Sequence, residues 1–373
     1  MAGGLAPACW RSCPGAYYVH EPASGKAVRP THEAGKPPPI GTSATARRRD
    51  AATARRRESV LKIGLFLPLL EGWFGDRWLP RWAELRELAT LGEAIGVDAL
   101  FVPDHLIFRH SPYWGIPEGE SRGTWEAWTV LAALAETTRR VALGPFVCGA
   151  GFRNPALLAK MAATLDEVSG GRLILGLGCG SHPPEYAAFG YPYDHRVSRF
   201  EEALRILVPL LREGRVDFAG RYHAARDCEL APRGPRPGGP PIWIAGFQPR
   251  MTSLAARWGD AFVTAWHPAP AAVAEPFARL EAACADAGRD PATLGRAVGV
   301  IVSLPETGPP PTTPGRVVAA AGAIHGPPEE IAARLLAFRA AGAQHLVLML
   351  DPRDARGLDR LRPVVELVRQ GDR

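Results

Sequence analysis

Asp104 and His105 stand side by side just after a short apolar run, Ala99 to Val102, and form the sharpest chemical pair in the chain. A histidine moves a proton near neutral pH, and a nearby carboxylate raises its pKa and orients the ring. The plainer alternative is an Asp that caps a loop start beside a hydrogen-bonded histidine. Gly176, Gly178 and Gly180 close a second apolar run, Leu173 to Leu177, and Gly246-Phe247 close a third, Ile242 to Ala245. Backbone N–H groups at such turns can hold a phosphate, or the glycines can serve only tight packing. Cys148 is a candidate nucleophile, although buried cysteine more often fills apolar space. Cys179 and His182 lie three apart without a second ligand pair, so no metal site is expected. Neither a G-x-S-x-G elbow nor a Walker motif occurs.

The elements that must carry these residues alternate. Strands are expected at 62–67, 99–102, 141–147, 173–177, 242–245, 261–265, 297–304 and 345–350. Helices fall between and after them, near 79–95, 124–137, 155–169, 197–211, 251–258, 271–287, 328–341 and 358–368. In the third helix Asn154 caps the start, Pro155 takes the first position, and Gly170-Gly171 stop it. Leu157, Leu158, Met161 and Leu165 supply its apolar face. The segment from Val216 to Pro241 reads as irregular. Eight strand–helix units predict a (β/α)8 TIM barrel with loop insertions, and an open doubly wound sheet is the alternative. No early strand carries the G-x-G-x-x-G dinucleotide fingerprint, which favours the barrel. In a barrel the carboxyl ends of the strands build the site. There the chain places Pro68 with Trp73 and Phe74, then Asp104-His105, Val147-Cys148, Gly178-Cys179-Gly180, Gly246-Phe247, Trp266-His267 and Asp351. Aromatic rings and glycine turns converging on one Asp-His pair suit a flat ligand that carries a phosphate.

Composition narrows the function classes. The 373 residues carry a net charge of +6, but residues 1–59 hold ten Lys/Arg and four Asp/Glu, and the remainder holds 34 of each sign. The basicity belongs to the tail, so the folded part offers no electrostatic case for nucleic acid. No apolar run is long enough to span a membrane, and no secretory signal core is evident. The six cysteines are irregularly spaced, and a reducing cytoplasm is expected. Residues 1–59 are rich in Gly, Pro, Ala and Arg without apolar periodicity, and read as a disordered tail. An Arg-rich arm or transit peptide is one account of them. The favoured account is a mis-assigned start, because Val60 directly precedes the first strand and valine codons can initiate in bacteria. Residues 60–373 then form one domain.

The segments LKIGLFLP, VDALFVPDHL, RNPALLAKMAATLDEVSGGRLILGLGCG, PEYAAFGYP, RFEEALRIL and PPIWIAGFQPRMTSLAARWGDAFVTAW together resemble the bacterial luciferase-like monooxygenase family, including its deazaflavin-dependent branch. The resemblance runs from Leu61 to about Arg369. It implies a TIM barrel that binds FMN or coenzyme F-420, in reduced form, at the strand ends. It also implies a non-proline cis peptide between Phe146 and Val147, with Val147 against the cofactor ring. Gly178, Cys179, Gly180 and Ser181, together with Gly246 and Phe247, would contact the cofactor's phosphate and side chain. Asp104-His105 matches an Asp-His element near the reacting face. The chain departs from the family's pattern at Cys148-Gly149-Ala150 and at Gln248-Pro249-Arg250.

With FMN, the resemblance implies monooxygenation with O2 and reduced flavin supplied by a partner reductase. With F-420 it implies hydride transfer to or from a small organic molecule, with His105 as proton donor or acceptor. A homodimer is suggested by analogy alone. Two other readings are a non-catalytic flavin- or partner-binding subunit of the same fold and, more remotely, a metal-dependent barrel hydrolase.

Overall fold

The computed structural model describes residues 60–71, 78–111, 116–304 and 322–371. The expected tail, residues 1–59, the Trp73-Phe74 pair and the Pro-rich stretch 305–321 lie outside the described residues. Eight parallel strand positions close on themselves. They are β1 (Lys62–Phe66), β2 (Ala99–Val102), β5 (Ala142–Pro145) with β6 (Cys148–Gly149), β7 (Leu175–Gly178), β10 (Ile242–Ala245), β11 (Ala261–Ala265), β12 (Gly295–Ser303) and β13 (His345–Asp351). Hydrogen bonding runs β5-β2-β1-β13-β12-β11-β10-β7-β6. β5 and β6 are two halves of one path, interrupted by a cis peptide between Phe146 and Val147. A parallel bridge between Leu143 and Leu173 joins the two ends of that order, so the sheet is a barrel.

The outer ring is made by α1 (Trp82–Ala94), α2 (Ala127–Thr137), α3 (Pro155–Val168), α5 (Arg196–Glu213), α6 (Pro249–Trp258), α7 (Ala274–Asp286), α8 (Pro328–Ala340) and α9 (Ala355–Gly371). Helical spacing accounts for them directly: in α5 Phe200, Leu204, Leu207 and Leu211 are all buried, and Gly214 ends the helix at φ 89°. In α3 Asn154 accepts hydrogen bonds from the N–H groups of Ala156 and Leu157 at 2.9 and 3.2 Å. Its apolar face differs from the expected one. Leu158 and Leu165 are buried, but Leu157 is 54% exposed. The core-facing stripe instead runs through Pro155, Leu158, Ala159, Ala162 and Ala163, because alanines allow the close approach that α3 makes.

Two insertions and one short helix escaped the apolar pattern. The loop after β2 holds an antiparallel pair, β3 (Phe108–Ser111) with β4 (Ile116–Arg122). The segment read as irregular holds another, β8 (Arg215–Ala219) with β9 (Ala224–Glu229). Both are too polar for the continuous apolar runs that mark barrel strands. The short helix α4 (Pro183–Phe189) follows β7.

The barrel interior is aromatic. Phe66, Phe101, Phe146, Trp243 and Trp266 meet edge-on or tilted, with ring centroids 5.4–6.2 Å apart, as ring quadrupoles favour. A larger aliphatic layer separates strands from helices. Among the described residues no helix is long and apolar enough to cross a membrane.

Candidate active site at the carboxyl mouth of the barrel

His105 leaves β2 on an extended segment, and its side chain is one-fifth exposed. Its Nδ1 lies 3.0 and 3.2 Å from the two carboxylate oxygens of Glu185, on α4. Glu185 is buried and also accepts the Leu106 N–H at 2.9 Å. The histidine's carboxylate partner is therefore Glu185 and not Asp104. The reason is geometric: successive side chains of an extended segment point to opposite sides, so chain neighbours seldom meet. With Nδ1 committed, Nε2 is the ring nitrogen left for a substrate proton.

Asp104 turns the other way. Its carboxylate is 3% exposed and is gripped by Arg153, at 2.6 and 2.9 Å, and by the Gly149 N–H at 3.0 Å. Burial works against the Arg153 charge, but Asp104, Cys148 and Glu126 together outweigh it and raise the guanidinium pKa. Cys148 is fully buried beside this pair. Burial, reinforced by Asp104, pushes its thiol up, which removes the nucleophile reading.

His182 stacks on Phe108 at 4.9 Å, and Phe108 lies 4.2 Å from the His105 ring. The Arg109 N–H donates to His182 Nε2 at 3.1 Å, which requires that nitrogen to be unprotonated. Burial holds His182 below its ordinary value; Glu185 pulls the other way and His105 adds to the depression. His182 is therefore held in its neutral form.

Val147 packs over the backbone of β7. A Cβ on Gly176 would meet the Pro145 carbonyl at 2.2 Å, and one on Gly178 would meet Val147 Cγ2 at 2.9 Å. Gly180 has φ +82°, and its Cβ would fall 1.8 Å from the Tyr186 hydroxyl. Packing against Pro145, Val147 and Tyr186 requires all three glycines. They nevertheless leave backbone at the mouth. Among the described residues the N–H groups of Cys179, Gly180 and Ser181 have no backbone acceptor. Tyr186 is buried with its hydroxyl unpartnered; burial, then Glu185, raises its pKa. Backbone donors at the mouth, the Val147 side chain beside them and an aromatic interior fit a planar cofactor with an anionic arm.

Gly246 makes the turn into α6, where a Cβ would strike Met251 at 2.2 Å. Phe247 is 57% exposed on the rim, and its carbonyl accepts from Arg279. Phe146 is buried, and its ring contacts Phe66, Phe101 and Trp266 inside the barrel. His267, beyond β11, is bonded through Nε2 to Thr264 Oγ1 at 2.7 Å, and burial lowers its pKa. Among the described residues no group of three or more His, Cys, Asp or Glu side chains could hold a metal.

Glu185 and Arg153 are the members that sequence reasoning missed. Glu185 had a local signal, since Pro183-Pro184-Glu185 is a proline start with an acid in the first helical turn. Arg153 had none beyond its place before the Asn154 cap.

Comparison with known proteins gives a consistent picture. The chain is 34% identical over 185 residues to an F420-dependent glucose-6-phosphate dehydrogenase of Amycolatopsis mediterranei, covering 48% of this chain and 52% of that one. It is 35% identical over 222 residues to a phthiodiolone/phenolphthiodiolone dimycocerosates ketoreductase of a Mycobacterium species, covering 55% and 57%. The chain thus spans about half the length of these curated relatives. In fold it matches an F420-dependent secondary alcohol dehydrogenase with TM-score 0.68 at 22% identity, covering 83% of this chain and 99% of the other. It also matches the EDTA monooxygenase of Chelativorans sp. BNC1, with TM-score 0.68 at 15% identity, covering 84% and 94%. The family profile described as luciferase-like monooxygenase covers residues 61–308, so the chain belongs to the luciferase-like monooxygenase family.

Proposed function

We propose that the chain is an oxidoreductase that works with coenzyme F-420 on a small alcohol or carbonyl compound, with His105 carrying the proton. The observation that carries this reading is the His105–Glu185 pair: a half-open imidazole whose Nδ1 is held by a buried carboxylate and whose Nε2 is free. Coenzyme F-420, when bound, supplies hydride chemistry. The chain's own part is to seat, orient and protonate. Val147 and the N–H groups of Cys179, Gly180 and Ser181 would hold the cofactor, with Gly178, Gly246 and the Phe247 rim beside them. His105 Nε2 takes the hydroxyl proton as a carbinol is oxidised and returns it when a carbonyl is reduced. Glu185 stabilises the imidazolium so formed and fixes the ring. In this reading Asp104, held by Arg153 and the Gly149 N–H, positions the site and leaves the proton to His105. Several matched relatives are described as F420-dependent dehydrogenases, which supports the choice of cofactor.

The test is a titration of the full chain with F-420 and with FMN, each followed by fluorescence. Turnover of the preferred cofactor is then screened against secondary alcohols, sugar phosphates and ketones. Tight binding of F-420 alone, with redox change on an alcohol or ketone, is expected. Tight binding of FMN alone would overturn the proposal in favour of the oxygen-using branch and its reductase partner.

A further inference from the structure

The buried ion pair of Asp104 and Arg153 joins several elements at the mouth of the barrel. Its parts come from three places in the chain: Asp104 from the end of β2, Glu126 from the cap of α2, and Arg153 from the turn before α3. Arg153 donates both terminal nitrogens to Asp104, at 2.6 and 2.9 Å, and one of them also to Glu126 at 2.9 Å. The same guanidinium lies 3.6 Å from Cys148 Sγ and 5.7 Å from the Trp128 ring centroid. Asp104 in turn takes the N–H of Gly149, two residues beyond Val147. Glu126 is itself committed, capping α2 by accepting from Trp128 and Thr129 N–H groups at 3.2 and 2.6 Å. The cluster thus ties the end of β2, the residues after the cis peptide, the start of α2 and the turn before α3 to one another.

We propose that Arg153 and Asp104 are positioning residues: the pair fixes the distance between His105 and the Val147 bulge, and so seats the cofactor against the proton carrier. Asp104 is the immediate neighbour of His105 in the chain, and Gly149 is the near neighbour of Val147. A bidentate guanidinium–carboxylate contact has one planar geometry, which a lysine cannot reproduce. Burying such a pair adds little net stability, because desolvation of both charges offsets their attraction. Its retention at this point is explained by geometry. The inference rests on the cofactor-site reading for Val147 and His105, yet its first readout needs no cofactor.

The experiment compares the full-length chain with Arg153→Lys, and with a double variant, Asp104→Leu with Arg153→Met, that replaces the ion pair by apolar groups. Hydrogen exchange of the ligand-free proteins is read on peptides covering 146–152 and, as references, on the barrel strands 62–66 and 345–351. Cofactor dissociation constants and melting temperatures are then measured. Arg153→Lys should speed exchange at 146–152 and leave the reference strands unchanged. It should weaken cofactor binding about tenfold or more, the worth of one charge-assisted hydrogen bond. The double variant should regain the wild-type melting temperature without regaining affinity. A pair that served stability alone would give the opposite result, with affinity recovered alongside melting temperature. Unchanged exchange at 146–152 in both variants would overturn the clamp whichever cofactor binds. Binding of neither cofactor by the wild-type chain, together with the expected exchange pattern, would overturn the cofactor reading and leave the clamp standing.

Discussion

His105 and Glu185 are 80 residues apart in the chain and 3.0 Å apart in space. At the residue scale this pair decides what the mouth of the barrel can do. Positioned acid–base groups contribute roughly 10²–10⁴-fold to rate, so His105→Ala should lower turnover by about that factor while changing cofactor affinity little. Glu185→Gln should also lower turnover, since a neutral amide no longer stabilises the imidazolium. It should still fold, because the amide oxygen can accept the Leu106 N–H. Steady-state kinetics with the substrate found by screening, paired with cofactor titration, checks both. Equal losses of affinity and turnover in His105→Ala would make the histidine a binding residue instead.

At the scale of elements, the β5–β6 path presses closely on β7. Gly176 lies under the Pro145 carbonyl, and a methyl there would sit 2.2 Å from backbone oxygen, which cannot move aside as a flexible side chain can. Overpacking of this kind costs about 1–3 kcal/mol, so Gly176→Ala should destabilise the chain by at least that amount. The strain falls where Val147 rests on β7, so cofactor affinity should fall as well. Urea denaturation and a fluorescence titration of the same preparation measure the two effects; a variant as stable as wild type would show that the bulge is free to shift. The glycine run was thus legible as important from its spacing, but its packing partners were not. A glycine needed for a neighbouring strand and a glycine needed for a phosphate look alike in one dimension.

At the scale of the whole molecule, the two mouths of the barrel are chemically different. The carboxyl mouth holds the His105–Glu185 pair, the proposed proton carrier. At the opposite mouth the first residue of β13, His345, is buried between Phe101 and Trp243, with ring centroids 5.6 and 4.9 Å away and Nε2 unpartnered. Burial lowers its pKa to about 3; Asp98 opposes the shift, and Lys62 and Arg369 add to it. In the unfolded chain the same imidazole takes its proton near pH 6.5. Between about 6.5 and 3 the unfolded state binds more protons than the folded one, so stability falls as pH falls. The contribution is flat above 6.5 and reaches about 1.4 kcal/mol per pH unit below it. His345→Gln removes the titration. The stability difference between wild type and variant, followed by chemical denaturation from pH 7 to pH 4, should shift in the variant's favour as pH drops. A difference independent of pH would show that His345 is not held neutral.

Much of this protein was determined by local pattern. Apolar runs, a cap at Asn154 and stops at Gly170-Gly171 are short-range signals, and they placed the barrel strands and their helices to within a few residues. Val102-Pro103-Asp104-His105 and the exit from β7 could be assigned to the functional mouth because parallel strands bring all their carboxyl ends to one face. What the sequence could not determine was which side chains meet across that face. The partner of His105 lies on α4, a seven-residue helix between stronger elements, and Asp104 is claimed by an arginine 49 positions away. Neither contact leaves a periodic trace. The two polar hairpins were invisible for the same reason, since their pairing is with each other and not with the core. Side-chain pairing at a site is set by the angle at which each strand end leaves the barrel. That angle exists only once the sheet has closed.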